Sequence, residues 1–286
     1  MTTTAWIAGS VRARALVRRR IGVARARQIA ACPTAAAGIL ELAATPYGRD
    51  VHGGQTVDEA EWAIGATLLW HLRVLAGWLP PGGVEPVRVL AGWFEVANVD
   101  EHVRRIEGRP AAPPYRPGAL SSAWSRLAGA GNLDALRAVL AASPWGDPGS
   151  AQAQHIAIGM RLGWAERIIG AVPDAERWAR AAIALLATRV EPTDLPGPLA
   201  RRLGVLLGPG ARRNAGRTPR AESWRAEGDW WRRVERDGQA LLARYRFGPR
   251  VVVGAIAVLA ADAWRARAAL SCAARGGAVE VFDEAA

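Results

Sequence analysis

Leu42-Ala43-Ala44-Thr45-Pro46-Tyr47-Gly48 and, 98 residues on, Leu140-Ala141-Ala142-Ser143-Pro144-Trp145-Gly146 are two versions of one phrase. Each closes an alanine-rich run with a hydroxyl, a proline, an aromatic ring and a glycine. Proline keeps the residue before it out of the helical region and glycine permits a reversal, so the phrase spells a helix-stop turn. A weaker echo lies further along, Trp70-His71-Leu72-Arg73-Val74-Leu75-Ala76-Gly77 against Trp164-Ala165-Glu166-Arg167-Ile168-Ile169-Gly170-Ala171. Self-similarity at a fixed offset marks one supersecondary unit used more than once, which predicts a stacked helical body and not a shell around one pocket.

Composition agrees. Half of the 286 residues are apolar, enough to bury a large core, and alanine, leucine and arginine dominate. No stretch alternates apolar and polar residues for long, so the expected fold class is all-α, with internally repeated helical subdomains in one domain spanning 1–286. The repeat units are expected at about 1–109, 118–190 and 222–286.

All 37 basic residues are arginine. Without a lysine there is no phosphate-loop lysine, no Schiff base and no Ser-x-x-Lys nucleophile, so an ordinary Walker A site is excluded. The net charge of +11 is unevenly placed: residues 1–30 hold seven arginines and no acid, and residues 201–250 hold thirteen against five acids. Such blocks attract phosphates, anionic headgroups or acidic protein faces.

Cys32 and Cys272 lie at opposite ends without metal-ligand spacing and fit a reducing compartment. The N-terminal stretch has no apolar signal core, and the most apolar run, Val251 to Trp264, is too short to span a bilayer and contains Asp262.

Along the chain, residues 5–31 read as one long helix with Trp6, Val11, Ala15 and Leu16 near its apolar face. Thr34 is a plausible N-cap for the helix ending at Thr45-Pro46-Tyr47. Thr56-x-x-Glu59 has capping-box spacing and starts a helix to about Leu79, with Trp62, Leu69, Leu72, Leu75 and Trp78 as core. A helix over about 85–107, a proline-rich connector over 110–117 and helices near 155–172 and 174–189 follow. Residues 190–222 read as an irregular Pro/Gly/Arg-rich loop around a short helix near 199–207. Helices over about 222–245, 250–274 and 279–285 close the chain.

Catalytic patterns are missing. His52, His71, His102 and His155 are scattered, and there is no HExxH, no G-x-S-x-G and no complete G-x-G-x-x-G. No catalytic, cofactor-binding or metal-binding residue, and no small-molecule substrate, is therefore expected. Asn98 is the polar residue that stands out on its helix, expected to fix helix register through side-chain hydrogen bonds. Trp230-Trp231 beside Arg225, Arg232 and Arg233 could stack on nucleobases, although one ring in the core and one under an arginine stem is the commoner arrangement.

These parts, in this order, resemble the C/d-subunit family of vacuolar, archaeal and bacterial rotary ATPases. Members open with an aromatic followed by an Arg-x-Arg helix, as in Trp6 with Arg12-Ala13-Arg14-Ala15-Leu16. They place Thr-x-Tyr after the second helix, as in Thr45-Pro46-Tyr47, and a tyrosine-aspartate, small residue and Asn on a middle helix, which Phe94-Glu95-Val96-Ala97-Asn98-Val99 resembles with Phe-Glu in place of Tyr-Asp. Trp264-Arg265-Ala266-Arg267, Gly276-Gly277 and Glu280-Val281-Phe282 are similar to the family's closing helices.

The resemblance implies a funnel-like, non-enzymatic body in the central stalk, coupling the rotor shaft to the membrane proteolipid ring that carries protons or sodium. It implies a cytoplasmic location, peripheral to the inner face of the membrane. Arg12, Arg14, Arg18, Arg232, Arg233, Arg265 and Arg267 become the candidate partner interface, and Thr45, Tyr47, Asn98, Ser143 and Trp145 the structural motif. A basic helical-repeat nucleic-acid binder, a stand-alone scaffold descended from the family, and an enzyme using Glu95, Asn98, His102 and Arg104 are the competing expectations.

Overall fold

A computed structural model describes residues 3–212, 223–277 and 279–285, and among these the chain is all-α with no strand. In chain order the helices are α1 Ile7–Arg18, α2 Gly22–Ala30, α3 Ala35–Ala43, α4 Val57–Ala76, α5 Val84–Ala91, α6 Trp93–Ile106 and α7 Trp124–Leu127. Then come α8 Leu133–Ala141, α9 Ala153–Ala171, α10 Glu176–Ala187, α11 Gly197–Arg212, α12 Ser223–Arg244, α13 Pro249–Ala273 and α14 Val279–Ala285. They group into two compact units, one formed by Met1–Val84 with Glu227–Ala286 and the other by Glu85–Ala226. The expected first and last repeat segments therefore fall largely within one unit.

In the first unit α13 is the central element, buried along almost its whole length and packed against α1, α2, α3 and α4. That is why Val251 to Trp264 is apolar all round, as a helix enclosed by others must be. Its small residues allow close crossing: at Gly254 an added Cβ would lie 2.6 Å from the Gly238 carbonyl oxygen of α12. The adjoining core gathers Ile29, Ile39, Leu42, Ile64, Leu270 and Phe282, so α14 is pinned by one ring. In the second unit, α6, α7, α8 and α9 enclose Val96, Leu127, Leu136, Leu140, Trp145, Ile156 and Met160.

The local start signals act as expected. Thr34 Oγ1 accepts the Ala37 amide, and Thr56 and Glu59 form a reciprocal capping box. Two long helices are interrupted instead. The expected 5–31 helix breaks at 19–21 because the amides of Ile21 and Gly22 turn to a carboxylate on α13, and the 85–107 helix is divided at Gly92.

The buried stripe of α1 is Gly9, Ser10, Ala13, Leu16 and Val17, whereas Val11 is 57% exposed and Ala15 faces outward. Trp78, expected in the core, is 53% exposed beyond the end of α4. The expected 190–222 loop is helical over much of α11, and its remainder, 213–222, lies outside the described residues.

Candidate functional site

Each unit holds one buried carboxylate to which its helix-stop turn points. In the first unit, Thr45 Oγ1 donates to the Leu42 carbonyl at 2.6 Å and accepts the Tyr47 amide at 3.2 Å. This seats Tyr47 inward, where its hydroxyl donates to Asp262 Oδ2 at 3.1 Å. Asp262 also accepts the amides of Ile21 at 3.1 Å and Gly22 at 2.8 Å, capping the start of α2 from the middle of α13. A carboxylate at a helix N-terminus meets unpaired N–H groups and the positive end of the dipole.

In the second unit, Ser143 Oγ donates to the Leu140 carbonyl at 2.8 Å and accepts the Trp145 amide at 3.2 Å. The Trp145 indole N–H then donates to Glu95 Oε2 at 2.9 Å. Glu95 also accepts the Ser121 hydroxyl at 2.7 Å and the amides of Ser122, Ala123 and Trp124, which open α7.

The glycine that ends each phrase is required for a different reason. At Gly48 a Cβ would fall 1.9 Å from the Ala43 carbonyl oxygen, while Gly146 has φ +79°.

An arginine attends each carboxylate. Arg265, 2% exposed, ion-pairs with Glu235 and approaches Asp262 at 3.7 Å, leaving its Nε and Nη1 without a hydrogen bond. Burial pushes the Asp262 carboxyl above its usual range, and the Gly22 and Ile21 amides and Arg265 pull the other way. Burial likewise drives the Tyr47 hydroxyl well above its ordinary value, helped by Asp262. In the second unit Arg167 lies over the Trp145 ring at 4.8 Å and donates to Ser122 Oγ at 2.8 Å. Burial lowers its pKa, against the pull of Glu95.

Asn98 holds the proline-rich connector and not helix register: it donates to the Tyr115 carbonyl at 2.9 Å and accepts the Tyr115 amide at 2.6 Å. Glu101 and Arg105 grip Ala112 at 2.8 and 3.1 Å, so one face of α6 straps down the connector. Glu95, Asn98, His102 and Arg104 each bind a different local partner. His102 meets the Ala130 carbonyl at 2.8 Å, and Arg104 pairs with Glu101 at 3.5 Å.

The arginines of the expected partner interface have diverse fates. Arg265 is enclosed, and Arg14 reaches the carbonyls of Leu242, Tyr245 and Arg246 at the end of α12. Each is engaged by its own chain, at a group the fold has buried or a helix end has left open. Arg232 binds Asp229 and the Glu284 carbonyl, and Arg267 pairs with Glu61 at 2.9 Å. Arg18 and Arg233 are exposed without an ion pair among the described residues, and Arg12 is half-buried.

Trp231 stacks on Trp264 at 6.0 Å and is contacted by Trp230 at 4.5 Å, so the Trp pair is engaged with its own chain. Among the described residues there is no His/Cys/Asp/Glu group able to hold a metal, and no helix long and apolar enough to cross a membrane. The arrangement can cap, clamp and present positive charge. No family model matches the chain, and no curated protein matches it significantly.

Proposed function

We propose that the chain is a non-catalytic rotor component of a V/A-type rotary ATPase, a member of the C/d-subunit class that joins the shaft to the ion-carrying ring. The observation that carries this reading is the recurrence, once per unit, of a turn whose hydroxyl seats an aromatic ring, whose ring binds a buried carboxylate, and whose carboxylate caps another helix. Two copies of so particular a constellation support repeated helical subdomains, the construction of that class and of its funnel-like body. Such a protein transmits torque through rigid packed helices and needs no general acid or base.

Arg18 and Arg233 supply positive charge for acidic partner surfaces or for headgroups beside the ring. The test is coupling. In membranes lacking this chain, ATP hydrolysis by the remaining complex should persist or fall while ATP-driven ion uptake is lost, and both should return with the wild-type gene. Ion uptake undiminished by the deletion would refute the reading.

A further inference from the structure

The first unit contains a cavity of about 10 Å³, room for one water molecule, where α1, α4, the Pro46–Arg49 turn and α13 meet. Arg19, Arg20, Tyr47, Thr67, His71 and Asp262 are on its wall. Part of that wall has its hydrogen bonds satisfied: Thr67 donates to Asp50 at 2.8 Å, and Tyr47 to Asp262. The other part does not. His71 is 9% exposed, yet its Nδ1 has no hydrogen-bond partner; beyond the wall, the buried Nε of Arg12, whose charge acts on His71, has none either. A buried polar nitrogen without a partner costs free energy; for Arg12 Nε, and for His71 in the tautomer protonated at Nδ1, an occupant that accepts the hydrogen recovers that cost.

Charge around the ring is one-sided. Arg12 on α1, Arg19 just past its end and Arg49 on the turn all act on His71, opposed by Asp50. Asp50 is itself held by Arg49 at 3.5 Å and by Thr67, and Asp262, across the cavity, is engaged with Arg265. Arg12 and Arg19 make no ion pair among the described residues, and Arg19 and Arg20 are exposed at the rim. With Arg20 on the wall, four guanidinium groups against the carboxylates of Asp50 and Asp262 leave an excess of two positive charges, which suits a dianion. Donors arriving from separate elements suit a tetrahedral oxyanion better than a planar carboxylate.

We propose that this pocket binds a phosphate group, with one oxygen in the cavity beside His71 Nδ1 and the others held by Arg19 at the rim and by Arg12 beside it. The group is either free orthophosphate or the phosphate of an anionic lipid headgroup; the recognition chemistry is the same. This site does not rest on the rotor reading, and either can stand without the other.

The test is an NMR titration of the full chain labelled in its histidine rings, at pH 7 and constant ionic strength set with chloride. Orthophosphate should move the His71 resonances saturably, while those of His102 and His155, each held by a backbone carbonyl, stay in place. Arg19→Gln, a change at an exposed position, should weaken the response about tenfold. Arg12→Gln should weaken it similarly if the variant keeps its fold, which thermal unfolding reports.

A response to vesicles containing phosphatidic acid, but not to orthophosphate, would identify the headgroup as the source. No saturable movement with either, or the same movement with chloride or phosphatidylcholine vesicles, would overturn the proposal.

Discussion

Tyr47 and Trp145 are different side chains with the same role, each carrying a polar atom at the tip of a ring into the core. Tyr47→Phe removes one donor from Asp262 and leaves its two amide partners, so it should cost about 1 kcal/mol of unfolding free energy in urea. Trp145→Phe removes a donor from Glu95 and also core volume, and should cost more, about 2–3 kcal/mol.

His71 and Asp262 titrate with opposite effects on stability. Burial and the surrounding arginines lower the His71 pKa from 6.5 to about 4. The unfolded chain then binds more protons in that window. His71's contribution is complete above pH 6.5 and is lost as pH falls towards 4. Asp262, raised above 3.8, contributes fully below that value and loses its contribution as pH rises through its folded pKa. Unfolding free energy measured from pH 4 to 7 should rise less steeply in His71→Gln than in the wild type, and more steeply in Asp262→Asn.

Helix existence was legible from local chemistry, because capping boxes, N-cap threonines and the proline turns act within a few residues. Helix continuity was not. The break between α1 and α2 is caused by a carboxylate 240 residues away, which periodicity cannot register. Nor does the repeated phrase reveal its partner: Glu95 stands 50 residues before Trp145, whereas Asp262 stands 215 residues after Tyr47. The one legible signal was a lone acid in an apolar run, Asp262 within Val251 to Trp264.

At this scale Arg14 ties α1 to the C-terminus of α12, supplying donors to carbonyls that the helix end leaves open. Arg14→Lys cannot bridge three carbonyls and should speed amide exchange around 241–247, with a loss of about 1 kcal/mol. Glu235→Ala strands the enclosed Arg265 and should cost about 3–5 kcal/mol. Glu235→Leu with Arg265→Met should recover much of that, since it removes both charges together.

For the whole molecule, the all-α class followed from composition and pattern, but the division into units did not. The first unit closes only when residues from both ends of the chain pack around α13. Nor can a count of arginines separate Arg14 and Arg265, which bind within the fold, from Arg18 and Arg233 on its surface. Among the described residues Arg18 and Arg233 remain outward, and the rotor proposal assigns them to partners.

The most direct measurement is purification of the tagged chain from its native membranes in mild detergent, with identification of everything that accompanies it. The rotor account predicts the shaft, the catalytic ATPase subunits and the proteolipid ring in fixed proportion. Recovery of the chain alone, under conditions in which a tagged catalytic subunit of the same cells brings down the rest of its complex, would contradict it.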